Sequence, residues 1–180
     1  MSSGSIFDPG SYDITGIESI AKSDPTPNAI TYSSESIRQL NAFLRGEISA
    51  VETYRMAIEK LAQVEFGSEN VAVLRAIMDE HGWAIRVLRG RILELGGTAS
   101  DSSGIWGAWA KFTMGAAKLF GATTALKDIK EGEEYGLKEY LDGLKNLDGV
   151  SVDLIGEQLV PNQRRHINVL RQIIEIVASE

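Results

Sequence analysis

Two histidines stand in this chain, His81 and His166, and each follows a glutamate at nearly the same distance: Glu47 by 34 residues and Glu133 by 33. Glu47 follows Gly46 and precedes Tyr54 by seven positions; Glu133 follows Gly132 and precedes Tyr140 by seven. Beyond each histidine come an apolar residue, an arginine and a second apolar residue at matching offsets (Ile85, Arg86, Leu88; Leu170, Arg171, Ile173). The pattern is that of an internal duplication. Imidazole and carboxylate form a borderline nitrogen and oxygen set that suits a single Fe, Mn or Zn ion. The same groups, with Tyr54 and Tyr140, can instead satisfy one another as a buried hydrogen-bond network. The chain has no cysteine, which removes thiolate sites, disulfides and cysteine nucleophiles together. There is no phosphate loop, nucleophile constellation or dinucleotide fingerprint, so no catalytic residue is assigned.

Helices must position these groups. After the cap-forming cluster Ser33-Ser34-Glu35-Ser36, apolar residues fall at spacings of three, four and seven (Ile37, Leu40, Leu44, Val51, Tyr54, Ile58, Leu61), predicting helix A over about 34–66. Ser68 is placed to cap helix B, about 68–96, which Gly96-Gly97 stop. Helix C spans about 122–146, and helix D, with Ser151 as its expected cap, about 151–178; Pro161 should kink D. Glu47, His81, Glu133 and His166 each lie in phase with the apolar stripe of their own helix. A stripe covers roughly two positions in seven, so two histidines both landing inward by accident is about a one-in-ten event. A buried unpaired carboxylate costs several kcal/mol, so the inward glutamates must be neutralised, paired or metal-bound. Equal distance from the C–D turn puts Glu133 level with His166, whereas Tyr54 comes nearer than Glu47 to the height of His81.

Residues 97–121 form the link between the two antiparallel hairpins. About eight extended and sixteen helical residues reach roughly 50 Å, enough to run the length of a bundle. Trp106, Trp109 and Phe112 lie in it, on a short apolar helix expected to pack on the bundle, with a surface or partner patch as the weaker reading. Residues 1–32, rich in Ser, Gly, Asp and Pro, read as an extended or flexible arm that wraps the bundle or a neighbour in a homo-oligomer, and 33–180 as one all-α domain. A net charge of −7 disfavours nucleic acid. No secretory signal and no apolar run of about 18 residues are visible, so no membrane span is expected and a cytoplasmic location is.

The pattern resembles the ferritin and rubrerythrin superfamily, where helices A and C each give a glutamate and helices B and D each a Glu-x-x-His pair to a dinuclear iron or manganese centre. More closely, Leu95-Gly96-Gly97, Asp101-Ser102-Ser103-Gly104, Trp106-Gly107, Gly132-Glu133, Lys138-Glu139-Tyr140 and Arg164-Arg165-His166 resemble a family of uncharacterised bacterial four-helix-bundle proteins, classed as a ferritin-like domain of unknown function. The likeness covers residues 37–176 and implies a ferritin-like four-helix bundle with a long B–C crossover. Both Glu-x-x-His glutamates are replaced, by Met78 and Gln163, which argues against dinuclear oxidase chemistry. Asp79 and Glu80 have the wrong helical phase to substitute for Met78, and Glu52, Glu131 and Glu134 lie off the stripe. The leading expectation is a non-catalytic bundle with a buried Glu/His/Tyr core that includes Gln163 and Met78. The alternative is a degenerate metal protein, related to stress or metal handling, holding one ion through Glu47, His81, Glu133 and His166.

Overall fold

Amphipathic periodicity produces four rods, which the computed structural model describes over residues 27–63, 66–104 and 121–179, with side chains from residue 33 onward. Helix α1 is Pro27–Leu61, α2 is Ser68–Glu94 and α3 is Ala122–Gly143. The fourth rod joins α4 (Gly149–Leu154), a π turn (Ile155–Leu159) and α5 (Val160–Ser179) end to end. The described residues contain no strand. The expected helix carrying Trp106, Trp109 and Phe112, and the arm up to residue 26, lie outside the described residues.

Several boundaries differ from those the sequence suggests. Helix α1 begins at Pro27 rather than beside Ser33, because a proline, with its fixed φ and missing N–H, suits the first helical turn. The serines of the apparent cap serve tertiary contacts instead: Ser33 Oγ donates to the carbonyl of Leu95, and Ser36 Oγ accepts from the Asp148 N–H at 2.7 Å. At its other end α1 stops at Leu61, and Phe66 is buried in the core beyond the helix. Ser68 is the first residue of α2, not its cap; that place belongs to Gly67 at φ 80°. Asp148, not Ser151, caps α4, its carboxylate accepting from the Ser151 N–H at 3.1 Å. The stop at Gly96-Gly97 is a Schellman turn, with Gly96 N–H on Leu93 O and Gly97 N–H on Ile92 O. Before Pro161, whose ring nitrogen cannot donate, the chain adopts the π turn, in which the Val160 N–H reaches back to Ile155 O.

Cross-helix pairs fix the directions. Moving from Glu47 to Tyr54 along α1 changes the α3 partner from Tyr140 to Glu133, so α1 and α3 run antiparallel. Helix α1 is also antiparallel to α2, as Ser33 with Leu95 and Glu47 with His81 require. Helices α2 and α3 therefore point the same way, and the end of one and the start of the other lie at opposite ends of the bundle.

Burial divides along the axis. One apolar cluster contains Ile58, Leu61, Leu74, Ile77, Leu126, Ile129, Leu170 and Ile173. The other contains Leu40, Leu44, Leu88, Ile92, Ile155 and Leu159. Between them lies one layer of buried polar residues: Glu47, His81, Glu133, Gln163 and His166. At the far end of the second cluster, Gly143 lets α3 approach α1, since a Cβ there would lie 2.5 Å from Phe43 Cζ and 2.7 Å from Gln39 Nε2.

Two of the helical glycines on the facing helices, Gly46 and Gly143, should respond oppositely to alanine. At Gly46 a Cβ meets nothing within 4 Å, so Gly46→Ala should gain up to about 1 kcal/mol from helix propensity. Gly143→Ala should lose about 1–2 kcal/mol through overpacking. Urea unfolding of both variants checks this, and equal shifts would refute the close approach.

Candidate functional site

Each rod delivers its polar group to the same layer, α1 giving Glu47 and Tyr54, α2 His81, α3 Glu133 and Tyr140, and α5 Gln163 and His166. The tyrosines cross between hairpins: Tyr54 Oη donates to Glu133 Oε1 at 2.5 Å, and Tyr140 Oη to Glu47 Oε1 at 2.5 Å. This crossed pair follows from the seven-residue Glu-to-Tyr spacing, two helical turns, repeated on antiparallel helices. His81 lies between the two carboxylates, with Nδ1 2.8 Å from Glu47 Oε2 and Nε2 3.0 Å from Glu133 Oε1. Its ring packs 5.4 Å from that of Tyr54 and 4.9 Å from that of His166, centroid to centroid.

The duplication stops short of full symmetry at Gln163 and His166. Gln163 Nε2 donates to Glu133 Oε2 at 2.5 Å and to the Glu133 carbonyl at 3.0 Å. It can do so because residue 136 is a glycine, whose added Cβ would stand 3.0 Å from that nitrogen. Its counterpart Met78 instead packs, half-buried, against the first apolar cluster. His166 Nε2 pairs with Glu80 Oε2 at 2.7 Å, and Arg165 binds the same oxygen. His166 Nδ1 lies 3.4 Å from Glu133 Oε2 and, although buried, has no hydrogen-bond partner.

Glu80 is the residue that sequence phase missed. It does not replace Met78, but it reaches His166 from the edge of the layer. The available signal was its position beside His81, matched by Arg165 beside His166, which gives two antiparallel helices a complementary charge pair next to their histidines. Glu52 points away to Ser103 Oγ, at 2.9 Å, and Glu134 pairs with Lys130 on the surface, as their phase implies.

Charge in the layer follows from geometry. A neutral imidazole has one N–H to give, whereas both nitrogens of His81 face carboxylate oxygens. Burial would push His81 down, but Glu133 and Glu47 outweigh it and hold its pKa well above the ordinary 6.5. Burial would likewise raise Glu133; the charge of His81 and the contact with His166 overcome this and hold it far below 4.5. Burial and the adjoining carboxylates push both tyrosines up, so they remain hydrogen-bond donors. On Glu80 the cost of burial is outweighed by Arg165 and His166, which lower it.

Three of the candidate ligands converge: one ligand atom from each of His81, Glu133 and His166 lies within 4.8 Å of the other two. Glu47 stands behind His81, on Nδ1, and Glu80 stands behind His166, on Nε2. Each histidine thus has a carboxylate on one nitrogen and turns the other toward Glu133. That is the arrangement by which outer carboxylates orient metal-binding imidazoles.

Residues 35–146 match the model of a family described as a domain of unknown function, DUF2383. The chain belongs to that family. The match takes in Glu47, Tyr54, His81, Glu133 and Tyr140 and ends before the fourth rod that carries Gln163 and His166. No curated protein and no solved structure matches the chain.

In metal-free protein the two shifts act on opposite sides of a plateau. Stability from Glu133 is present above about pH 4.5 and lost as pH falls toward its depressed folded value. Stability from His81 is present below about pH 6.5 and lost as pH rises toward its elevated folded value. Urea unfolding against pH should therefore peak between these limits, and His81→Gln should remove the alkaline decline. A decline unchanged in the variant would exclude the imidazolium assignment.

Proposed function

We propose that this chain is a ferritin-like bundle protein whose polar layer holds a single divalent transition-metal ion through His81, Glu133 and His166. The observation that carries this reading is His166 Nδ1, a buried nitrogen without a hydrogen-bond partner, directed at Glu133 next to His81 Nε2. A buried polar atom left unsatisfied costs about 1–3 kcal/mol and calls for an explanation. The donor set, two imidazoles and one carboxylate, suits Fe, Mn or Zn and leaves coordination positions open. Supporting it, Glu47 and Glu80 would hold the two rings in the tautomers that such a site needs. An ion there would supply Lewis acidity and, for iron or manganese, one-electron redox capacity, consistent with storage or redox handling of the metal.

The surroundings fit one ion and not two. A second would face the Gln163 amide donor and the half-buried side chain of Met78 in the places where bridging carboxylates are required. Tyr54 and Gln163 both donate to Glu133 and limit its charge and its motion. His81 must shed the Nε2 proton to act as a ligand, so proton and metal compete at that atom.

A second reading, a purely structural network, is favoured by the pairing of both His81 nitrogens with carboxylates. On that reading the layer sets helix register and binds nothing.

Titration of untagged protein with Fe(II), Mn(II) or Zn(II) should saturate near one equivalent and release protons, with affinity rising as pH increases. His166→Ala should lower affinity by about 100-fold or more, and Glu47→Gln by about 10- to 100-fold. Saturation far below one equivalent, or affinity indifferent to His166, would leave the structural network as the function. Gln163→Glu should weaken the metal-free fold by placing a second carboxylate against Glu133, while strengthening metal binding. Thermal melts with and without metal read both effects.

A further inference from the structure

Among the described residues, the polar layer is not sealed on all sides. Between α1 and α3 a cavity of about 390 Å³ reaches down to His81 and Gln163, within the size range of small-molecule sites. Its walls are mostly apolar, and small residues are prominent in its lining, Ala42, Gly46 and Ala50 on α1 and Gly132 and Gly136 on α3. At Gly46 an added Cβ would enter open space. Small residues alone would signify only close helix packing, but the other described walls set rings and acids around a single basic group, His81 on the floor.

Four aromatic rings line the space, those of Phe43, Tyr54, Tyr135 and Tyr140. So do four carboxylates, Glu47, Asp128, Glu133 and Glu139, while no lysine or arginine is among the described lining residues. Glu47 and Glu133 belong to the floor, where His81 and the tyrosines engage them. Asp128 and Glu139 stand farther out on α3, one on either side of Gly132 and Gly136. Burial and the neighbouring Glu131 push the Asp128 carboxyl up.

We propose that the α1–α3 cavity is a binding site for a small organic cation, an ammonium group carried on an apolar body. Ring faces attract a desolvated ammonium through their quadrupoles, and the carboxylates add a field of the same sense. An anion of equal size would meet that field as repulsion. A neutral molecule would gain only the apolar contact. The site draws on the cavity walls and needs no bound metal; its floor shares His81 and Glu133 with the metal site, and the His166→Ala arm below separates the two.

The test uses the full chain, stripped of metal, with three probes of similar shape: benzyltrimethylammonium, its uncharged isostere neopentylbenzene, and phenylacetate. Calorimetry should find the cation binding about tenfold or more tightly than the isostere, with no phenylacetate binding. Asp128→Asn should weaken the cation about threefold, and Gly46→Leu, which fills the space, should abolish binding. In the unaltered protein, nuclear Overhauser contacts should run from the N-methyl protons to the Phe43 and Tyr135 rings, a readout that survives if Gly46→Leu fails to fold. Equal affinity for cation and isostere would reduce the site to an apolar hole and overturn the proposal. So would an absence of cation binding at millimolar concentration, or Overhauser contacts to other residues only. Cation binding retained in His166→Ala would separate this site from the metal reading.

Discussion

Glu133 is the residue on which the interior depends. It is a carboxylate buried midway between two apolar clusters, and it is tolerable there only because Tyr54, His81 and Gln163 all donate to it. These donors come from three different rods. Stranding such a charge by removing a partner typically costs 3–5 kcal/mol, so the packing of α1, α2 and α5 around α3 is tied to the electrostatics of one side chain. Glu47 repeats the arrangement in smaller form, with Tyr140 and the other nitrogen of His81.

This layer accounts for features that apolar packing leaves open. Leucine and isoleucine stripes tolerate a slip of one helical turn far better than a set of directional bonds between 2.5 and 3.0 Å does. The crossed Tyr54–Glu133 and Tyr140–Glu47 pairs therefore fix the antiparallel register of α1 and α3. Gly136 and Gly143 permit that register, the first by leaving room for the Gln163 amide and the second by letting the helices close against Phe43. The π turn just ahead of Pro161 also takes part. It adds a residue to the helical path before the segment that presents Gln163 and His166, resetting their phase, and it falls directly ahead of the proline that has no N–H to donate.

The network is nearly complete, and its one gap is specific. Every hydrogen-bonding position on His81 is used, whereas His166 is held firmly on Nε2 and lacks a hydrogen bond on Nδ1, 3.4 Å from Glu133 Oε2. A layer evolved only to lock register would gain from closing that gap. A layer that admits an ion would keep it, with the carboxylates of Glu47 and Glu80 behind the two rings. The cavity beside the layer reaches His81 and Glu133 as well, so the two proposed sites share those residues while the metal reading adds His166 and the cation reading adds the outer walls.

Periodicity and duplication in the sequence determined the four rods and placed Glu47, Tyr54, His81, Glu133, Tyr140 and His166 on inward faces, because helical phase depends only on spacing along the chain. That Met78 and Gln163 stand three residues ahead of the two histidines was equally legible. Tertiary structure alone decided which nitrogen of each histidine meets which carboxylate, that Gln163 serves as a donor to Glu133, and that Glu80 reaches His166 from an off-stripe position. Phase specifies a face, but it does not specify relative height, ring orientation or the reach of a long side chain across a helix pair. Those depend on contacts between residues such as Glu80 and His166, which are far apart in the chain and meet only when the hairpins pack.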